Sequence, residues 1–150
     1  MKKSFILVLA VLFIGLPVFA GTTISTTLQA TVGADLNITT TIPGTKAVDP
    51  TLTSATLGSV TISSNVASWT ITVHSANGGK MVRAGGGNYP YTFTWGSTTG
   101  IDLTTDYVLT KTAPQTATSY NLAIAYQTAA TLGLSAGTYE DTLTITLAVL

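Results

Sequence analysis

Along much of this chain apolar and polar residues alternate one by one, the pattern of strands with one buried face. From Gly21 the even positions Ile24, Leu28, Ala30 and Val32 are apolar, and the same parity resumes after Gly33 with Leu36, Ile38 and Ile42. A typical strand uses about five or six residues, so the run predicts two strands joined at Gly33-Ala34-Asp35 or one long extended arm. Pro43-Gly44 closes it with a turn signal.

Thr45 to Ala55 lacks periodicity and reads as a loop, after which Leu57, Val60 and Ile62 predict a short strand. Asn65 marks the turn into a core strand in which Trp69, Ile71 and Val73 alternate with Thr70 and Thr72, and Asn77-Gly78-Gly79 follows as a hairpin turn. Met81 and Val82 form a brief return before the Gly85-Gly86-Gly87-Asn88 break. Tyr89, Tyr91, Phe93 and Trp95 then share one face of a strand, and Pro90, which has no N–H to donate, puts its start at a sheet edge or bulge. A strand around Tyr107 to Leu109 leads through Ala113-Pro114 into Tyr120, Leu122, Ile124 and Tyr126, then the apolar loop Ala129 to Leu134. The final segment turns at Ala136-Gly137 and alternates again, with Tyr139, Leu143, Ile145, Leu147 and Val149 on one parity.

The reading is all-β, with about seven to nine short strands separated by turn signals and no helical period. That spacing predicts an immunoglobulin-like antiparallel β-sandwich, with a closed barrel as the alternative because alternation does not report closure.

The first twenty residues stand outside this pattern. Lys2 and Lys3 precede the apolar run Phe5 to Leu16, and Val18-Phe19-Ala20 supplies a small-residue cleavage site, which predicts a secretory signal peptide over Met1 to Ala20. The apolar stretch is about 12 residues, short of the roughly 20 that a spanning helix needs. The remaining chain, 21–150, is one domain by size. Its basic residues are Lys46, Lys80, Arg83 and Lys111 against six acids, a net charge near −2 that argues against nucleic acid or an anionic membrane as partner. The chain has no cysteine, which excludes disulfides and thiolate metal sites. Threonine makes up about a quarter of the mature residues and favours extended backbone. Few charges with many small residues fit an extracellular surface that packs against copies of itself.

Candidate chemistry is sparse. His74 is the only histidine, no G-x-S-x-G elbow accompanies it, and it reads as a polar strand-end residue rather than a catalytic base. Glu140 and Asp141 are adjacent and would point to opposite faces of a strand, so they make no carboxylate pair; Asp141, on the apolar parity, is expected near the strand's exposed start. Tyr89, Tyr91 and Trp95 are the one candidate ligand platform, a surface for stacking sugars, against the simpler reading that they fill the core. Gly85 to Gly87 lacks the strand-to-helix context of a phosphate cradle, and Asn37-Ile38-Thr39 matches the glycosylation pattern inside a strand-like run. No catalytic residue, cofactor, metal site or small-molecule substrate is expected.

The closing segment Ala136-Gly137-Thr138-Tyr139-Glu140-Asp141-Thr142-Leu143-Thr144-Ile145-Thr146-Leu147 resembles the AGTYxDTxTVTV strand of the spore coat protein U domain, a relative of secreted chaperone–usher pilus subunits. Arg83 to Trp95, a basic residue and a glycine-rich turn before a tyrosine-bearing strand, is a weaker match. The family's early cysteines are absent here. The resemblance implies an incomplete sandwich whose groove is filled first by a periplasmic chaperone, then by the N-terminal extension of the next subunit, with an outer-membrane usher as a further partner. It makes 21–33 a candidate donor strand carrying Ile24, Leu28, Ala30 and Val32, and it makes Tyr139, Leu143, Ile145, Leu147 and Val149 one wall of the groove. The expected role is a structural subunit of a secreted fibre, pilus or coat, in the periplasm in transit and then at the cell surface, with copies of itself or related subunits as partners. The alternative is a self-complete secreted β-sandwich that binds glycan or protein as an adhesin.

Overall fold

The computed structural model describes residues 26–150. The predicted signal peptide and Ile24 therefore lie outside the described residues. Residues 26–31 precede the compact unit Val32–Leu150 and carry no regular secondary structure.

That unit is an all-β antiparallel sandwich. Its strands are β1 (Leu36–Thr40), β2 (Ser54–Ser64), β3 (Trp69–Ser75), β4 (Lys80–Arg83), β5 (Asn88–Trp95), β6 (Thr98–Ile101), β7 (Tyr107–Lys111), β8 (Gln115–Tyr126), β9 (Tyr139–Glu140) and β10 (Leu143–Val149). One sheet runs β1-β2-β8-β5-β4-β9 with β6 also on β5, and the other runs β10-β3-β7. The core between them is built from the inward parity of the central strands: Val60 and Ile62 of β2, Trp69, Ile71 and Val73 of β3, Leu122 and Ile124 of β8. β5 contributes Tyr89, Tyr91, Phe93 and Trp95, all buried.

Turn chemistry behaves as the residue types dictate. Gly78 and Gly79 adopt φ of 65° and 72° in the turn after β3, but β3 and β4 pair in different sheets, so the turn expected to close a hairpin instead carries the chain from the small sheet to the large one. Pro90 lies one residue beyond the β8 ladder, which begins at Tyr91, so its missing donor is not required there. The stretch expected as an apolar loop holds one helical turn, α1 (Ala129–Leu132), started by Thr128 and stopped by the left-handed Gly133.

Among the described residues the alternating start of the chain forms one strand, β1 after Gly33, with no strand over 26–35. The closing segment is two strands rather than one. β9 pairs with β4 in the large sheet, with Arg83 opposite Tyr139, whereas β10 pairs with β3 in the small sheet.

Asp141 sits where the chain crosses between sheets, half-buried rather than at an exposed strand start. Its Oδ2 accepts hydrogen bonds from Ser75 Oγ at 2.6 Å and Tyr91 OH at 2.5 Å. Its Oδ1 accepts from the backbone N–H of Asn77 at 3.0 Å and of Thr142 at 2.8 Å. Bonds to a charged acceptor are the strong ones, so one carboxylate ties β3, β5 and the β3–β4 turn to the crossover.

The preceding residues are fixed by Arg83. Its guanidinium donates to the carbonyls of Gly86 and Ala136, both at 2.8 Å, and lies 5.9 Å from the centre of the Tyr139 ring. Gly137 has φ 149° and lies against the Arg83 stem, which leaves no room for a Cβ. The chain thus crosses from the large sheet to the small one between Glu140 and Leu143.

Two outcomes are expected. Asp141→Ala strands the Ser75 and Tyr91 hydroxyls and costs about 2 to 4 kcal/mol of unfolding free energy, read by urea denaturation. Burial, and next the Asp141 hydrogen bond, push the Tyr91 phenol well above its ordinary value near 10. The native state then keeps a proton that the unfolded chain releases, so this stability is complete below about pH 10 and is lost as pH rises further. Burial raises Tyr89 and Tyr126 as well, with the same sign. Denaturation between pH 8 and 12 shows a decline above pH 10 that is shallower in Tyr91→Phe.

Candidate functional site

Among the described residues the two sheets end, on one side of the sandwich, in strands paired on one flank only: β1 in the large sheet and β10 in the small one. The two strands approach each other across that side. Directly paired residues share a face of a sheet, so burial can be compared across each ladder.

In the small sheet Val73, Ile71 and Trp69 of β3 are 0% exposed, while Ile145 and Leu147 opposite the first two are half-buried and Val149 opposite the third is 57% exposed. In the large sheet Ile62 is 0% exposed and Ile38, its partner on β1, is 37% exposed. Moving one strand outward on either sheet, apolar side chains on the core face lose their cover. Leu36, Ile38, Leu143, Ile145, Leu147 and Val149 therefore line an apolar slot.

The backbone along this slot is unpaired as well. Ala76 N donates to Thr142 O and Leu150 N to Ser68 O, at 3.0 and 3.1 Å, at the two ends of the β10–β3 ladder. Hydrogen-bonded pairs alternate in antiparallel sheets, so Thr144, Thr146 and Ala148 spend their N–H and C=O groups on β3. Those of Leu143, Ile145, Leu147 and Val149 point to the open flank. On β1 the bonds Thr41 N to Ser59 O and Asn65 N to Asp35 O set the same alternation, which turns Leu36, Ile38 and Thr40 outward. Both walls thus offer free main-chain donors and acceptors above a partly uncovered apolar floor, the feature that accepts an added strand.

β1 begins and β10 ends at the same end of the sandwich, because Leu36 pairs with Ser64 and Val149 with Trp69 across the short 65–68 connection. At that end Val32, Gly33, Ala34, Asn65 and Val66 line a notch of about 260 Å³.

Among the expected wall residues, Leu143, Ile145, Leu147 and Val149 come together on β10. Tyr139 does not belong to that wall: it is in β9, where its ring packs edge-on against Tyr89 at 6.0 Å and its hydroxyl donates to Ser135 O. Of the candidate donor residues, Leu28 is 91% and Val32 81% exposed, and Ala30 is exposed too. Leu36 and Ile38 complete the slot without having been singled out from the sequence, although their parity marked them as inward-facing.

The proposed ligand platform is corrected by burial. Tyr89, Tyr91 and Trp95 are buried, and the two tyrosine hydroxyls donate to Gln127 O and Asp141 inside the protein. Rings that fill a core present no open face to a sugar. His74 projects outward from β3, with Nδ1 2.6 Å from Asp106 Oδ1 and both side chains more than half exposed. Among the described residues no group of three or more His, Asp or Glu side chains is placed to hold a metal ion.

No family model matches this chain, and no curated protein matches it.

The exchange of β10 amides with deuterated solvent reports the slot directly. In isolated subunits the Leu143, Ile145, Leu147 and Val149 amides should exchange much faster than those of Thr144, Thr146 and Ala148, as NMR can resolve. Equal protection along the strand would mean the flank is covered.

Proposed function

We propose that this protein is a structural subunit of a secreted fibre, pilus or coat that assembles by strand donation, the segment Thr22–Val32 of one copy filling the slot between β1 and β10 of the next. The observation that carries this reading is the fall in burial from β3 to β10 and from β2 to β1 on the core face of each sheet. Burial falls in the same way from β3 to Tyr107 and Leu109 of β7, and what sets β10 apart is that the unpaired strand β1 of the other sheet lies beside it.

The donor has the right length and pattern. Eleven residues from Thr22 to Val32 span roughly 37 Å extended, against about 24 Å for the seven residues of β10. The surplus leaves a short link between copies. Ile24, Leu28, Ala30 and Val32 share one parity with Thr26, so these five enter the slot together while Ser25, Thr27, Gln29 and Thr31 face solvent. Burial of Ile24, Leu28 and Val32 contributes about 1.5 to 3 kcal/mol each before ordering costs. Main-chain bonds to the open flank of β10 add to this and depend little on sequence.

The remaining features fit the same role. The N-terminal pattern of Met1 to Ala20 reads as a leader for export, and an exposed apolar slot calls for a periplasmic chaperone in transit and an usher at the outer membrane. The partners are copies of the chain or related subunits. Catalysis has no part in this reading. The adhesin alternative loses its ligand platform with the burial of Tyr89, Tyr91 and Trp95.

Deleting Thr22–Ala30 should leave a sandwich that folds with a chaperone and stays monomeric by analytical ultracentrifugation. A synthetic peptide of residues 22–32 should then bind the deleted subunit, slow exchange at Leu143, Ile145, Leu147 and Val149 and raise its melting temperature. Assembly of the deleted subunit to the wild-type extent would exclude strand donation by this segment.

A further inference from the structure

The slot and the donor belong to the same chain, so a copy could fill its own slot instead of its neighbour's. We infer that Asn65 prevents this: its hydrogen bonds to Gly33 and Asp35 hold the root of the arm extended, block the reverse turn that self-insertion needs, and so commit the arm to a second copy. This inference rests on the strand-donation reading and names the residue that decides between its inter- and intramolecular forms.

Asn65 follows the last residue of β2 and faces the stretch just before β1. Its Oδ1 accepts from Asp35 N at 2.6 Å, its Nδ2 donates to Gly33 O at 2.7 Å, and its own N–H donates to Asp35 O at 3.1 Å. Three bonds thus bracket Ala34 from both sides. The backbone bond extends the β1–β2 ladder, since Asp35 stands opposite Asn65 in the register that pairs Leu36 with Ser64. The side-chain bonds carry that extended geometry back to Gly33.

Self-insertion needs a reversal at this place. β1 begins and β10 ends at one end of the sandwich, so an arm entering its own slot must double back beside β1. It would then run antiparallel to β1 and parallel to β10. From Thr22 to Val32 the sequence contains no Gly, Pro, Asn or Asp, and the residues suited to a tight turn are those of Gly33-Ala34-Asp35. Gly33 is not among the glycines with positive φ, although a two-residue hairpin turn would ask for it. The turn-capable residues are present, and Asn65 occupies the backbone groups that the turn would have to rearrange.

With the turn blocked, the direction of insertion into a second copy decides the form of the assembly. An arm antiparallel to β10 of a second copy has its root at the Leu143 end of that copy, opposite the end from which the second copy's own arm starts. Repetition gives an open head-to-tail chain. An arm parallel to β10 would put both roots at one end and give a closed, reciprocally exchanged pair. Because β1 and β10 run antiparallel to each other, either direction pairs antiparallel with one wall and parallel with the other, so the position of the roots, not pairing strength, separates the two forms.

The test uses the full-length exported chain with Asn65→Ala, Asn65→Asp and a deletion of Thr22–Ala30. Mass distributions are measured by analytical ultracentrifugation, and exchange at Leu143, Ile145, Leu147 and Val149 is measured in the monomer fraction. Asn65→Ala should raise the monomer fraction about tenfold, the worth of one or two exposed hydrogen bonds, and those monomers should have slow β10 amides because their own arm covers them. Asn65→Asp keeps the acceptor for Asp35 N and loses the donor to Gly33 O, so it should fall between wild type and Asn65→Ala. Wild-type assembly by Asn65→Ala, or Asn65→Ala monomers whose β10 amides stay fast, would overturn the role of Asn65 and leave strand donation standing. Wild-type assembly by the deleted chain would instead overturn strand donation, and this inference with it.

Discussion

A backbone N–H or C=O removed from water must find a partner, and the last strand of this protein meets that demand on one flank only. β10 spends its even-numbered groups on β3 and turns those of Leu143, Ile145, Leu147 and Val149 toward an opening whose far wall, β1, is unpaired in the same sense. The apolar core repeats the pattern. Side chains that are fully covered on β2 and β3 become half-exposed one strand further out. Hydrogen bonding and burial are thus left incomplete at the same place, and one added strand would satisfy both.

The rest of the molecule keeps that opening in shape. β10 reaches the small sheet because the chain leaves the large sheet after β9, and the Asp141 carboxylate holds the crossover with bonds from Ser75, Tyr91, Asn77 and Thr142. Arg83 secures the turn just before it through the Gly86 and Ala136 carbonyls, and Gly137 supplies the space that the arginine stem occupies. With no cysteine in the chain, this charge-assisted network supplies cross-sheet ties without disulfides. The aromatic residues of β5 fill the interior beneath it.

Much of this was legible in the sequence because strand periodicity is local. Alternation located Trp69 to Val73, Tyr89 to Trp95, Tyr120 to Tyr126 and the closing segment, and the all-β class followed. That Leu143 to Val149 form one wall of a groove was an implication of the closing segment's resemblance and not of its alternation. Alternation could not say that Tyr139 and Leu143, on one parity, belong to different sheets, because the side-chain contacts that turn the chain at Asp141 come from residues 50 and 66 positions away. Aromatic composition likewise could not separate platform from core for Tyr89, Tyr91 and Trp95, since either face of a strand gives the same spacing. Asn65 carried only a turn signal, and its bonds to Gly33 and Asp35 span about thirty positions of sequence.

The absence of native cysteine makes one measurement decisive for strand donation. Copies carrying Leu28→Cys are mixed, under conditions of assembly, with copies carrying Ile145→Cys or Leu147→Cys, and disulfides are trapped and mapped by mass spectrometry. The account predicts disulfides between the two kinds of copy, joining position 28 of one to β10 of the other. No such disulfide in assembled material, or a Leu28→Cys, Ile145→Cys double variant whose disulfide joins its own two cysteines within one chain, would contradict it.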